Sequence, residues 1–188
     1  MKKIFQLVIS LTAIAAVCAG VLATVNAVTK GRIAEIQELI AERSAKEVMG
    51  EGVANVEKTA LQDGETLYSG VDASGKVVAY ALKGKSSQGY GGDIVLMVGL
   101  SPDMKIVTYR KLVASETPGL GSKLSTPEFM KQFSGMDASS DLSVKKDGGA
   151  VEAITSATIT SRAVCDAINN ARATLTNHLA SAKNGQKK

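Results

Sequence analysis

Hydroxyl side chains are concentrated in one short segment near the C-terminus. Within seven positions the chain carries five of them around a single alanine: Thr155, Ser156, Ala157, Thr158, Thr160 and Ser161. One hydroxyl is enough to cap the start of a helix. A helix start that offers hydroxyl groups and free N–H groups also favours the binding of a phosphate. The segment therefore predicts either a helix cap alone or a phosphate-binding site.

Two glycine-rich segments earlier in the chain could bring backbone close to a ligand. Residues 87–93 read SQGYGGD and place Tyr90 and Gly91 ahead of an apolar run. Residues 115–123 read SETPGLGSK, and their candidate binding residues are Glu116, Thr117, Gly119, Leu120, Gly121 and Lys123. Neither segment has the glycine spacing of a Walker loop or of a dinucleotide-binding fingerprint. Each is open between a binding loop, since glycine permits close approach, and an ordinary turn.

Hydrolytic and metal-dependent chemistry is poorly supported. The chain has no Gly-x-Ser-x-Gly nucleophile elbow. Its one histidine, His178, falls near the frayed end of the last predicted helix, where we expect an exposed bystander. Cys165 lies beside an apolar stripe and is predicted to be a small core residue. Because Cys18 lies in a different kind of segment, we expect no disulfide and no zinc site. We predict no catalytic side chain and no metal ligand.

The charge distribution argues against a nucleic-acid partner. The net charge of +4 resides in the first 32 positions, which contain four basic residues and no acidic one. The rest of the chain carries 18 basic and 18 acidic groups, so its charges cancel. Tryptophan is absent and aromatic residues make up 4% of the chain. A stacking platform for single strands and a basic binding face are therefore not expected.

The N-terminus is predicted to be a membrane anchor. Residues 4–29 contain no charged side chain. Their densest apolar part, 4–25, would measure roughly 33 Å as a helix, which matches a hydrocarbon core of about 30 Å. A cleaved signal peptide is the alternative, but the apolar run exceeds the roughly 7–15 residues of a signal core. We assign residues 1–28 to one transmembrane helix, whose nearly balanced basic flanks do not decide its orientation.

The elements that must position the candidate residues follow the anchor. Residues 29–50 are predicted to continue as a juxtamembrane helix that Gly50 ends. Two strand pairs follow, 65–71 with 76–83 and 93–100 with 105–114, each joined by a four-residue turn. The strand at 93–100 has apolar residues at both odd and even positions, which predicts that both of its faces are covered.

Helices complete the predicted domain. Residues 125–128 form a capping box with Pro127 in the first turn of a helix that runs to about position 133. A short hairpin is predicted at 147–149. The last helix begins near Thr158 or Thr160, and its apolar stripe consists of Val164, Ile168, Ala171, Leu175 and Leu179. The fold class is α+β, an antiparallel sheet with flanking helices over residues 51–182, followed by a frayed polar tail at 183–188.

These segments together resemble the FMN-binding domain proteins, whose flavin is joined to a threonine by a phosphoester bond. The likeness covers nearly the whole chain: the anchor, the Gly-Tyr-Gly-Gly strand entry, the Glu-Thr-Pro-Gly-Leu-Gly loop and the flavinylation motif. The family motif reads Asp-x-x-Ser/Thr-Gly-Ala-Thr. This chain has Glu152 at the Asp position and Ser156 at the Gly position. Within the family it most resembles the G-type subunits of Rnf complexes, the ion-translocating ferredoxin:NAD oxidoreductases.

The resemblance implies covalent FMN on Thr158, attached by a separate flavin transferase that uses FAD. Residues 90–92 and 116–121 would then line the isoalloxazine ring, with Leu120 packing on its face. The remaining hydroxyl segment, Thr155 to Ser161, would surround the phosphate. Thr158 would be a tether, and the redox chemistry would belong to the flavin.

The resemblance also implies a function and a location. The chain would be an electron-carrying subunit without independent catalysis, whose partners are the other membrane and redox subunits of an Rnf-type complex. It would lie in the cytoplasmic (inner) membrane with its domain on the extracytoplasmic side. Two alternatives stay open. One is the equivalent C-type subunit of the sodium-translocating NADH:quinone reductase. The other is a non-redox, anchored binding module whose hydroxyl cluster only caps a helix.

Overall fold

The structure, a computed structural model, describes residues 2–61 and 64–185. Its helices are α1 (Lys2–Val48), α2 (Pro127–Lys131) and α3 (Thr158–Gly185). Its strands are β1 (Asn55–Ala60), β2 (Thr66–Val71), β3 (Val77–Gly89), β4 (Gly92–Leu100) and β5 (Ile106–Val113). Two short 3-10 helices, Gly121–Ser125 and Lys145–Asp147, lie between β5 and α3. The chain divides into two compact units, Met1–Ile40 and Ala41–Lys188.

The first unit is one helical segment with an apolar surface. Its large apolar side chains, from Ile4 to Ile40, are all exposed. The helix is long and apolar enough to cross a membrane, with a mean hydropathy of 2.3 over its most apolar 18 residues. Helix α1 continues without interruption to Val48, and the assignment of its second part to a juxtamembrane helix stays a prediction. The boundary at residue 28 stays a prediction.

The second unit is built on a five-stranded sheet in the order β1-β2-β3-β4-β5, in which every neighbouring pair is antiparallel. Both predicted hairpins are confirmed. In the first turn, the Asp72 carboxylate accepts hydrogen bonds from the N–H groups of Ser74 and Lys76, at 2.8 and 3.0 Å. The strands and helices together confirm the predicted α+β class.

Strand β4 is covered on both faces, as its apolar composition predicts. Ile94 and Leu96 belong to the core that packs against α3, whereas Met97 belongs to a second cluster formed with the last two turns of α1. This alternation follows from the two-residue period of a strand. A Cβ atom at Gly99 would lie 2.0 Å from the carbonyl oxygen of Val48, so glycine allows the end of α1 to lie directly on the strand.

Helix α3 packs its predicted stripe on the opposite face of the sheet. The stripe consists of the fully buried Val164, Ile168, Ala171 and Leu175 and the partly buried Leu179. Cys165 is also buried, and burial raises the pKa of its thiol to about 12, so it is a neutral core residue as predicted. His178 lies within α3 and is only partly exposed, so the expectation of an exposed residue is wrong. The helix runs to Gly185, past the predicted start of the polar tail; residues 186–188 lie outside the described residues.

Strand β1 and the start of α2 differ from the sequence analysis. Strand β1 is not predicted, because NVEKTA is an edge strand that leaves nearly all of its side chains exposed and so lacks an apolar alternation. The predicted capping box at 125–128 does not form. Ser125 already belongs to the preceding 3-10 helix, and Thr126 takes the cap position without a side-chain cap bond. The Thr126 hydroxyl instead donates to the carbonyl oxygen of Lys123 at 3.0 Å.

The predicted hairpin at 147–149 is wrong. The chain forms the 3-10 helix Lys145–Asp147, and Gly148 ends it with a φ of 84°. Val144 and Val151 then form a parallel bridge, whereas a hairpin would pair them antiparallel. This compact turn lies beside the start of α3 and contributes to the site described below.

Candidate functional site

Residues from all three predicted segments meet at one cleft. The cleft has a volume of about 490 Å³. It is lined by Tyr90, Glu116, Thr117, Leu120, Gly121, Ser156, Ala157, Thr158, Ile159 and Thr160. Every lining residue except Ile159 is among the candidates of the sequence analysis. The other candidates, which lie outside the lining, are Gly91, Gly119, Lys123, Thr155 and Ser161.

One carboxylate connects the three segments. Oε1 of Glu116 accepts a hydrogen bond from the N–H of Gly91 at 3.2 Å, and Oε2 accepts one from the hydroxyl of Thr160 at 2.7 Å. The turn between β3 and β4, the loop after β5 and the first turn of α3 are therefore held together at a half-buried ion. Hydrogen bonds that involve a charged acceptor are stronger than neutral ones. Glu116 thus has a structural role that its sequence context does not reveal.

The loop after β5 lies close against this carboxylate. A Cβ atom at Gly121 would lie 2.3 Å from Oε2 of Glu116 and 2.7 Å from Oγ1 of Thr160. A side chain at position 121 would therefore displace the Glu116 carboxylate and the Thr160 hydroxyl from their hydrogen bond. The following 3-10 helix is fixed to the core, because Leu124 is buried and its carbonyl oxygen accepts a hydrogen bond of 2.5 Å from the buried hydroxyl of Tyr109.

The turn before α3 contains a residue in a conformation that favours glycine. The N–H of Ala157 donates to the carbonyl oxygen of Ile154 at 2.9 Å, which closes a four-residue turn. Ser156, its third residue, has a φ of 62°. Turns with positive φ at the third position strongly favour Gly. This explains in physical terms why the family motif has Gly where this chain has Ser156.

Ser161 fastens that turn to the helix. Its buried Oγ accepts a hydrogen bond from the N–H of Ile154 at 2.9 Å and donates one to the carbonyl oxygen of Ala157 at 3.0 Å. The structure therefore places Ser161 behind the cleft, whereas Thr155 is exposed beside it. The predicted contact of these two residues with a phosphate stays a prediction.

Thr158 is the first residue of α3 and lines the cleft. Its Oγ1 accepts a hydrogen bond from Nζ of Lys146 at 3.5 Å. The sequence analysis misses Lys146, because it lies 12 positions earlier in the segment mistaken for a hairpin. It also misses Ile159, whose exposed position at the helix start carries no sequence signal.

Two ion pairs flank Thr158. Arg162 donates two hydrogen bonds to Asp147, both at 2.7 Å. The Arg162 guanidinium holds the pKa of the Asp147 carboxyl below its ordinary value, chiefly through these hydrogen bonds. Lys145 forms an ion pair with Glu152 at 2.5 Å. Both pairs lie at the surface, where ion pairs add little stability. The Asp147–Arg162 pair joins the 3-10 helix to α3, whereas the Lys145–Glu152 pair joins two exposed side chains.

The rim of the cleft is apolar and exposed. Tyr90 is 71% exposed, Leu120 40% and Ile159 48%. The three residues come from the three different segments that the Glu116 carboxylate joins. Large apolar side chains grouped around a concave site are typical of pockets for planar organic ligands.

Comparison with known proteins agrees with this arrangement. Residues 89–173 match the family model of the FMN-binding domain, and residues 1–48 match that of the RnfG N-terminal region. The first match contains every residue that lines the cleft. The class of protein is therefore an RnfG-type N-terminal region joined to an FMN-binding domain.

Several relatives are similar over almost the whole chain. The G-type subunit of the ion-translocating oxidoreductase complex of Methanosarcina acetivorans is 35% identical over 177 residues, which cover 90% of this chain and 93% of the relative. The G-type subunit of the Na(+)-translocating ferredoxin:NAD(+) oxidoreductase complex of Acetobacterium woodii is 32% identical, with 89% of each chain covered. This chain belongs to the family of G-type subunits of ion-translocating oxidoreductase complexes, which confirms the resemblance drawn from its motifs.

A solved structure shares the fold. The crystal structure of Shewanella oneidensis NqrC aligns with a TM-score of 0.52 and 21% identity, over 74% of this chain and 73% of that one. At this identity the likeness concerns the fold alone. It agrees with the predicted α+β architecture.

The positive φ of Ser156 generates a prediction about stability. Ser156→Gly should raise the free energy of unfolding, and Ser156→Val should lower it by about 1–2 kcal/mol, since a β-branched residue is strongly disfavoured at positive φ. Thermal unfolding of the full chain in detergent, followed by near-ultraviolet circular dichroism, measures the order Gly, Ser, Val. The neighbouring Thr155→Val change should have little effect. Equal midpoints for the Gly and Val variants would contradict the assigned conformation.

The Glu116 contacts generate a second prediction. Glu116→Ala leaves the nearly buried Thr160 hydroxyl without its acceptor, which costs about 1–3 kcal/mol. Amide hydrogen exchange in residues 89–92 and 115–121 should become about tenfold faster or more. Glu116→Gln keeps an acceptor oxygen and should give an intermediate rate, whereas Glu128→Ala, an exposed carboxylate at the start of α2, should give the parental rate. Parental exchange in Glu116→Ala would show that the carboxylate does not hold the loops together.

Proposed function

We propose that this chain is the membrane-anchored, FMN-carrying electron-transfer subunit of an Rnf-type ion-translocating oxidoreductase complex, with the flavin joined to Thr158 by a phosphoester bond. The observation that carries the proposal is the position of Thr158. The residue lies at the start of a long helix and lines a cleft of about 490 Å³, and its hydroxyl oxygen accepts a hydrogen bond from a lysine. Membership of the G-type subunit family supports the electron-transfer role.

The residues around the cleft fit a flavin mononucleotide. The volume falls within the roughly 300–1,000 Å³ of small-molecule sites. The apolar side chains of Tyr90, Leu120 and Ile159 suit an aromatic ring, and their exposure leaves one side of such a ring accessible to a partner. The first turn of α3 provides N–H groups without intrahelical partners and the positive end of the helix dipole, which suit a phosphate. FMN, when bound, supplies the one- and two-electron redox chemistry, while the protein orients it and sets its surroundings.

Attachment requires a second enzyme and FAD in this proposal. The hydroxyl of Thr158 gives its proton to a base of the transferase, and its Oγ1 bonds to the phosphorus nearest the flavin. The bond between that phosphorus and the bridging oxygen of FAD breaks, and AMP leaves.

The proposal extends to partners and location. The electron donor and acceptor are other membrane and redox subunits of the complex, consistent with a family named for such complexes. The N-terminal helix anchors the chain in the cytoplasmic (inner) membrane, and the domain lies on the extracytoplasmic side. The equivalent subunit of the quinone reductase is the alternative function that the sequence motifs leave open.

Intact mass tests the attachment. The full chain, co-expressed with its flavin transferase and extracted from membranes, should be about 440 Da heavier than the apo chain and stay yellow after denaturation. Thr158→Ala should remove the added mass, because it removes the only oxygen that bonds to phosphorus. Thr155→Ala changes an exposed threonine outside the cleft and should keep the parental mass. Thr160→Ala should keep at least part of the covalent flavin. Covalent flavin on Thr158→Ala, or a colourless parent chain, would refute the assignment.

Cysteine labelling tests the side of the membrane. Ala73 is exposed in the turn between β2 and β3, and Ala73→Cys should react with a membrane-impermeant maleimide in intact cells or spheroplasts. Native Cys165 is buried with a raised pKa, and native Cys18 lies in the helix proposed to cross the membrane, so the parent chain should give only background. Inverted membrane vesicles, which expose the cytoplasmic face, should protect the new cysteine. The reverse pattern would place the domain in the cytoplasm.

A further inference from the structure

The 3-10 helix Lys145–Asp147 is clamped to the first turns of α3. Asp147 accepts two hydrogen bonds from Arg162, which lies four positions after Thr158. Residues four apart lie on the same face of a helix. The clamp therefore holds Lys146, the neighbour of Asp147, beside Thr158, where Nζ reaches Oγ1 at 3.5 Å.

The basic side chains around Thr158 differ in the partners they contact. Arg162 is paired with Asp147, and Lys145 is paired with Glu152 at 2.5 Å. Lys146 makes no ion pair of this kind with the described residues. Lys123 lies on another loop; neither it nor Lys146 lines the cleft, but among the described residues Lys146 is the lysine that donates a hydrogen bond to Thr158. Beside Thr158 there is thus one ammonium group whose hydrogen bond goes to the hydroxyl oxygen itself.

We infer that Lys146 binds the phosphate of the phosphoester at Thr158, and that the Asp147–Arg162 pair is the positioning element that holds Lys146 there. This inference rests on the proposed function. A phosphodiester at Oγ1 carries one negative charge, and one ammonium group compensates it. A contact from Nζ to Oγ1 becomes a contact to the diester oxygens with a small side-chain rotation, because lysine presents three rotatable donors.

The clamp persists at neutral pH. The Arg162 guanidinium lowers the pKa of Asp147, so the carboxyl stays ionised until the pH falls below the ordinary range of aspartate. A bidentate arginine–carboxylate pair fixes direction as well as distance. The backbone of Lys146 is therefore held in place by the pairing of its neighbour Asp147, and the Lys146 side chain can contact the ligand.

The test uses the full-length chain in detergent, purified flavin transferase and FAD, with three variants. Lys146→Ala removes the cation, Lys146→Arg restores it, and Lys145→Ala removes the adjacent lysine that is already paired. The initial rate of flavin loading is followed by intact mass, and the phosphorus-31 resonance of the diester is recorded on the loaded chains.

Lys146→Ala should load about three- to tenfold more slowly, as expected for loss of one charge-assisted contact at a partly exposed site. Its phosphorus resonance should shift from the parental position. Lys146→Arg should return both quantities towards the parent, and Lys145→Ala should match the parent in both. A purely structural role of Lys146 would leave the resonance unchanged.

Three results would overturn the inference. They are parental rate and resonance in Lys146→Ala, an equal defect in Lys145→Ala, and a defect that Lys146→Arg does not relieve. In these cases the parent chain still carries flavin, so the proposed function stands without Lys146. A parent chain that gains no mass would instead refute the proposed function, and the role of Lys146 with it.

Discussion

The hydrogen bonds of Glu116 are the constraint on which the site depends. Its two oxygens accept from Gly91 and Thr160, which lie 25 and 44 positions away in the chain. Without this carboxylate, the two hydrogen bonds that join the glycine-rich turns to the start of α3 would be lost. With it, the apolar side chains of all three segments surround one cleft. The glycine at 121 is compatible with the same contact, since a Cβ there would displace the carboxylate.

The five hydroxyl residues before and within α3 have different roles in the structure. Ser161 fastens the preceding turn, Thr160 donates to Glu116, and Ser156 occupies the positive-φ position of the turn. Thr155 is exposed outside the cleft lining. Thr158 also lines the cleft, and it differs from the others because its hydrogen bond within the described residues is with a lysine. The sequence shows an excess of hydroxyls over what a cap needs, and the structure assigns most of that excess to architecture.

The two hairpins and α3 could be predicted because each has a signal in its own stretch of sequence. The hairpins have turn residues between strand-like runs, and α3 has apolar residues at helical spacing. The convergence of three segments at one site followed from the family resemblance and from glycine content. Strand β1 could not be predicted, since an exposed edge strand has no apolar face to display. The position of Lys146 beside Thr158 could not be predicted either. Its position depends on a parallel bridge and an Asp147–Arg162 pair, and neither leaves a periodic pattern in the sequence.

The departure of this chain from the family motif at Ser156 can be understood from the same contacts. A non-glycine residue at positive φ costs about 1–2 kcal/mol, so the conformation must be imposed from outside the residue. Ser161 supplies that constraint from α3 by binding the backbone of Ile154 and of Ala157, on both sides of Ser156. The turn therefore takes its shape from the helix that follows it rather than from the residue at 156. Because the same helix begins with Thr158, the position of the threonine at the cleft does not depend on glycine in the motif.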